Sequence, residues 1–161
     1  PDEVSYMHTF SDWTVEADQV KGELVKAIRK VAYRLRGYQR KAHQWACHIR
    51  FQEAQWEGTT FAFQTDGYTN LDDYILKACL PKAMRLVEQA LRKGQRIRGV
   101  GLHTIEMRHH DQLEIFFQED DRMRGLYRAT DCLNNLYGAD TVRKVATDHG
   151  VPGNTHFVNR S

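Results

Sequence analysis

The stretch His43–Phe51 reads HQWACHIRF, and its period decides the fold. Trp45, Cys47, Ile49 and Phe51 share one side of the alternation, while Gln44, Ala46, His48 and Arg50 share the other. Successive side chains of a strand point to opposite faces. This is therefore a strand with one face for a core and one polar, partly basic face. Upstream the period is helical: Val20, Leu24, Ile28, Val31 and Leu35 form one apolar stripe, with Gly37 as the expected stop. Ser11, Asp12 and Thr14 are the expected N-caps, and Val4–Phe10 is expected to be a short first strand.

Downstream, EAQWEG reads as a turn region and TTFAFQT alternates again with Phe61 and Phe63 inward, so the two strands form a hairpin. Asn70, Asp72 and Asp73 mark a second helix start, where acids complement the helix dipole. Its stripe runs through Ile75, Ala78, Leu86, Val87, Ala90 and Leu91 to Gly94, and Pro81 is expected to kink or split it. RIRGVGLHTIEM is the last strand, with Gly99 and Gly101 marking a bulge or a close backbone approach.

The order strand, helix, strand, strand, helix, strand is the α+β, ferredoxin-like split βαβ arrangement: a four-stranded antiparallel sheet with two helices on one face. The other face is open and carries Gln44, His48, Arg50, Thr60, Gln64 and His103. This core closes near Met107 and leaves QLEIFF, residues 112–117, outside it after a polar hinge, MRHHD. Asp120 or Asp121 caps a third helix with an apolar stripe of Met123, Leu126, Ala129, Leu133 and Leu136, ended by Gly138. HGVPGNTHFVNRS is turn-rich and reads as a loose tail. The divisions expected are 1–108, 109–118 and 119–161.

The chain has 161 residues, is 41% hydrophobic and 27% charged, and carries a formal net charge of +2. That composition is that of a soluble globular protein. No apolar run approaches the roughly 18 residues of a membrane helix. The start lacks the order of a signal peptide and an initiator Met, which suggests an excised fragment. Cys47, Cys79 and Cys132 sit far apart in apolar patterns and read as buried free thiols of a reducing cytoplasm. Lys26, Arg29, Lys30, Arg34, Arg36, Arg40, Lys41 and Arg50 fall in a window without a single acid, which suggests an anionic polymer at one face.

Several stretches resemble the C-terminal region of bacterial Y-family translesion DNA polymerases of the DNA polymerase IV type, the little finger domain followed by a clamp-binding tail. SYMHTF resembles the strand that leaves the thumb. VAYRLR with HIRF resembles the end of the first helix and the second strand, and IRGVGL resembles the last strand. QLEIFF resembles the sliding-clamp peptide, and RMRGLYRATDCLNNLYGADTVRKV resembles the helix that follows it. The resemblance spans roughly residues 4 to 145.

It implies a noncatalytic module that grips primer-template DNA through its backbone and tethers the enzyme to the sliding clamp. The partners would be that DNA, the clamp, and the palm and thumb of the parent chain, with no membrane. By position it assigns Arg98, His103 and Thr60 to DNA. His48 and Arg50 join them from the open face, with Arg40 and Lys41 from the basic segment. Gln112 would fill a polar niche of the clamp, with Leu113, Ile115 and Phe116 as anchors and Phe117 optional. This chain departs from the family where TTFAF lacks the usual basic residue and Gly99 follows Arg98.

Nothing in the spacing of its residues makes a catalytic set or a metal site. The magnesium ions of polymerase chemistry would belong to the parent's palm, in the cytoplasm and within an SOS response. Two other readings compete. An RNA-type binder of the same fold would stack bases on exposed aromatics of its central strands, and a small enzyme would need a concave polar pocket. A monomer is expected.

Overall fold

The computed structural model describes residues 2–14, 16–51, 58–109, 121–137, 142–144 and 157–159. The elements run β1 (Ser5–Thr14), α1 (Ala17–Gly37), β2 (Arg40–Phe51), β3 (Gly58–Thr69), α2 (Asp72–Arg92) and β4 (Ile97–His109), then α3 (Asp121–Tyr137), β5 (Val142–Lys144) and β6 (Phe157–Asn159). The first four strands form one antiparallel sheet in the order β1-β4-β2-β3. Each βαβ unit is split, with β4 between β1 and β2, and β2 between β3 and β4. The expected α+β architecture is therefore present, with β2 and β4 at the centre.

The core lies between the sheet and the pair of helices. Val20, Leu24, Ile28, Val31 and Leu35 of α1 are buried there, as are Ile75, Cys79, Ala83 and Val87 of α2. They meet Trp45, Cys47 and Ile49 of β2, Phe61 and Phe63 of β3, and Val100 and Leu102 of β4. Trp45 is fully buried, stacks on Phe63 at 6.2 Å, and donates its indole N–H to Thr65 Oγ1 at 3.4 Å. Burying an aromatic of this size while satisfying its N–H is what makes HQWACHIRF a central strand.

Several boundaries differ from the sequence reading. β1 continues through Ser11, Asp12 and Thr14, so these residues are strand and not caps; α1 begins after Glu16, which makes no side-chain cap bond. A break in the β1–β4 register between Thr9 and Thr14 lets the strand extend. Gly37 belongs to α1, and the left-handed residue after the helix is Gln39, at φ 54°. α2 passes through Pro81 without splitting. Asp72 and Asp73 do lie in its first turn, as the sequence reading has it. β4 runs to His109, pairing with Arg40 and Lys41, so Met107–His109 are strand and not hinge.

Three residues of the expected loose tail are strand. They form β6, which pairs antiparallel with β5. In α3 the described members of the expected stripe are not the buried ones. Ala129 is exposed, as are Leu133 and Leu136 at 39% and 70%, whereas Tyr127 and Asn134 are buried. Cys132 is exposed, unlike Cys47 and Cys79. The turn region 53–57, Gly138 and the whole segment 110–120 lie outside the described residues.

Candidate nucleic-acid interface

The helices cover one face of the sheet, and the alternation of each strand fixes what the other face presents. Across the sheet, Met7 of β1 opposes Gly101 of β4, Gly101 opposes His48 of β2, and His48 opposes Thr60 of β3. The next row is Ser5, His103, Ala46 and Ala62, and on the other side run Thr9, Gly99, Arg50 and Gly58. Two of the three central rows therefore carry glycine where a side chain would stand.

The glycines are required by close approach. A Cβ on Gly99 would come within 2.8 Å of the His8 carbonyl oxygen, and one on Gly101 would lie 1.8 Å from Met7 Sδ. Met7 thus lies across the space above Gly101 and is 54% exposed. The result is a low surface over the centre of the sheet, flanked by polar side chains. Gln44 and Gln64 face each other across β2 and β3, and Ile105 is exposed near the end of β4.

Three of the expected residues meet in one cluster. His48 Nδ1 is 2.8 Å from Thr60 Oγ1, and His48 Nε2 is 2.6 Å from His103 Nδ1. The two imidazoles meet edge to edge, with centroids 4.7 Å apart and planes 18° from parallel. Burial against the sheet, followed by repulsion from a protonated His103, holds the His48 imidazolium pKa below its ordinary value near 6.5; Glu3 opposes this weakly.

The remaining basic candidates are placed differently. Arg50 reaches Thr9 Oγ1 at 3.4 Å, bridging the open face toward β1. Arg98 donates to the Phe10 carbonyl, where β1 leaves regular register. Arg40 is half-buried at the start of β2, and its carbonyl accepts from Asn70 Nδ2 at 3.1 Å. Lys41 is fully buried. That burial does not fit its expected place on a DNA surface. Gln112, Leu113, Ile115, Phe116 and Phe117 lie outside the described residues.

The acid-free basic window does not form a single charged face. α1 packs on the covered side of the sheet, opposite the open face. There Lys30 and Arg34 lie over the Tyr6 ring at 5.5 and 5.9 Å, and Lys26 pairs with Glu23 at 3.1 Å. Arg36 bonds Asp72 at 3.0 Å and Asp131 at 2.6 and 3.0 Å, donates to the Asn70 carbonyl at 2.7 Å, and lies 4.6 Å from the Tyr127 ring centroid. The acids absent from the window arrive from α2 and α3. Sequence spacing held no sign of that pairing, since the partners are 36 and 95 residues away.

Other residues of the open face were readable but not singled out. The alternation of SYMHTF already separates Ser5, Met7 and Thr9 from Tyr6, His8 and Phe10. The aromatics that an RNA-type binder would expose are turned away. Trp45, Phe61 and Phe63 are buried beneath the helices, so that reading is not favoured.

A family model, described as the impB/mucB/samB family C-terminal domain, matches residues 1–115. The chain belongs to that family. The match takes in the whole four-stranded sheet and both of its helices, and it agrees with the resemblance to the Y-family little finger. No curated protein matches this chain. Among solved structures, it is similar to a complex of the beta-clamp processivity factor and the little finger domain of PolIV. That likeness has 12% identity and a TM-score of 0.46, and covers 73% of this chain and 95% of that one. It is also similar to a Y-family DNA polymerase chimera of Dbh and Dpo4, again at 12% identity and a TM-score of 0.46, covering 65% of this chain and 28% of the chimera.

Proposed function

We propose that this domain is the noncatalytic DNA grip and clamp tether of an error-prone translesion polymerase. It lays the open face of its sheet along primer-template DNA, and residues 112–117 dock the enzyme on a sliding clamp. The observation that carries the reading is the uncovered sheet face in a chain of this family. Its centre is lowered by Gly99 and Gly101, and hydroxyl, imidazole and guanidinium groups surround it. Such a surface suits phosphate contacts, which position a duplex without reading its sequence. A polymerase that accepts damaged templates needs that indifference.

His48, Thr60, His103 and Arg50 are the proposed contacts on the face. Arg98 sits at its edge, and Arg40 flanks it. In the clamp peptide, Gln112 takes a polar niche while Leu113, Ile115 and Phe116 enter an apolar cleft. Catalysis is assigned to the rest of the parent polymerase. Among the described residues no three His, Cys, Asp or Glu side chains gather to hold a metal ion, and the magnesium ions of the reaction are assigned to the palm. Among the same residues no helix is long and apolar enough to cross a membrane.

The test is a titration of this chain against a bacterial sliding clamp, beside the double variant Gln112→Ala, Phe116→Ala. Saturable binding that the variant loses is the expected result. A folded wild type that fails to bind would remove the tether and leave the DNA grip to be tested alone.

A further inference from the structure

The imidazole pair on the open face has a property that a row of lysines would lack. A hydrogen bond between two imidazole nitrogens holds one hydrogen. With His48 Nε2 2.6 Å from His103 Nδ1, one of the two rings donates and the other accepts. In one neutral arrangement His48 donates from Nε2, and its Nδ1 accepts the Thr60 hydroxyl. In the other, His103 donates from Nδ1, and His48 Nδ1–H donates to Thr60 Oγ1. The first leaves the Thr60 hydroxyl hydrogen turned inward. The second leaves His103 Nε2 as a bare acceptor, which repels an anion.

One added proton resolves both arrangements into the same state. His48 Nδ1–H then donates to Thr60 Oγ1, whose hydroxyl hydrogen is free to turn outward, and His103 Nε2 carries a hydrogen as well. The proton comes from solvent, and only hydrogen bonds rearrange. The face gains a positive charge and then presents two donors at one point, one more than either neutral arrangement offers. A second proton is excluded while the pair holds, because two N–H groups would meet head-on across 2.6 Å.

We propose that the His48–His103 pair, with Thr60, is a proton-coupled phosphate site, neutral in the free domain and taking up one proton as a DNA phosphodiester docks. The inference rests on the DNA-grip reading above and adds the chemistry of one contact. The surroundings support it. Thr60 of β3 is exposed, and the space above Gly101 of β4, beside His48, is covered by the flexible, half-exposed side chain of Met7 of β1. Arg50, two residues along the same strand face, adds positive charge that disfavours protonation until an anion arrives. Glu3 is the acid acting on the pair from the chain before β1, and it favours protonation. α1 and α2 lie on the far side of the sheet. The depressed basicity of His48 follows from the same burial and pairing.

The test is binding of a primer-template duplex to this chain at constant ionic strength, from about pH 8 to about pH 5.5, with calorimetry in two buffers of different ionisation enthalpy. Uptake approaching one proton per duplex is expected. Affinity should rise toward tenfold per unit fall of pH within the window where the free and bound pairs differ in protonation. His48→Gln and His103→Gln should each bind with a nearly flat profile. Binding by the wild type that is flat with pH, or a slope that survives in both variants, would overturn the proton-coupled site and leave the DNA grip intact. Absence of salt-sensitive binding at every pH would overturn the grip reading and this inference together. The proton count on the wild type decides the matter even where a variant fails to fold.

Discussion

Arg36 joins three segments that are distant in sequence. Its guanidinium grips Asp131 through two nitrogens, bonds Asp72, and lies against the Tyr127 ring. Burial alone would weaken the charge, but Asp72 and Asp131 more than offset that, so its pKa is raised. Removing one partner of such a buried set leaves the others unpaired, which typically costs about 3–5 kcal/mol. Arg36→Ala should therefore lower the urea midpoint strongly, because Asp72 is only 6% exposed. Asp131→Asn, which keeps hydrogen bonding at a more exposed site, should cost less. Equal midpoints for the two variants would count against the assignment of Asp72 as the critical partner. The glycines make a second contrast. Gly99→Ala drives its Cβ against backbone, the His8 carbonyl, whereas Gly101→Ala meets the flexible end of Met7. Gly99→Ala should be the more destabilising, by about 1–3 kcal/mol, and Met7→Ala should relieve Gly101→Ala without helping Gly99→Ala. The same urea titrations report both.

At the scale of elements, α2 is continuous through Pro81 although proline removes a backbone donor. Pro81 and Lys77, whose carbonyl loses that donor, are both exposed, so water can satisfy the orphan group. The packing of Ile75, Cys79, Ala83 and Val87 on the sheet holds the helix together across it. Pro81→Ala should restore the bond and raise stability by about 1–2 kcal/mol, less than the roughly 3 kcal/mol helix-interior penalty because proline also stiffens the unfolded chain. A lower urea midpoint would mean that the proline is packed for a reason its exposure hides. This element also illustrates what could be read from sequence. The stripes of α1 and α2 and the alternation of β2 and β3 were legible because one buried face imposes one period on each. The open face followed directly, and with it His48, Thr60 and His103. The third helix itself was legible, but its burial of Tyr127 and Asn134 was not, because polar contacts help to dock it. Arg36, Asp73 and Tyr127 hold it, with the Asp73 N–H donating to Tyr127 Oη at 3.3 Å, and apolar periodicity is blind to such contacts. Lys41 was taken from the basic segment by charge alone, and charge does not show that the side chain is fully buried.

For the whole molecule, the two proposed attachments differ in their physics, and that difference separates them by experiment. The sheet face would hold DNA through cations and oriented donors, and each neutralised phosphate adds a counterion-release contribution. With about two or three such contacts, affinity for duplex alone should fall by roughly 10- to 40-fold between about 0.05 and about 0.2 M salt. Clamp binding through Leu113, Ile115 and Phe116 is mainly apolar and should change little over the same range. Holding both at once raises the effective concentration of each site for the other. Duplex carrying a loaded clamp should therefore retain the chain at salt concentrations where bare duplex has released it, and Gln112→Ala, Phe116→Ala should abolish that retention while leaving low-salt duplex binding unchanged. Stability should follow pH in the opposite sense from grip. The pKa of His48 is depressed in the fold, so its contribution is present above the ordinary value near 6.5 and is lost as pH falls through the folded value. Lowering pH toward 5.5 should then loosen the free domain while tightening its hold on DNA, so bound duplex should protect the chain against urea more at pH 5.5 than at pH 8. Equal protection at the two values would mean that phosphate binding and protonation of the sheet face are independent.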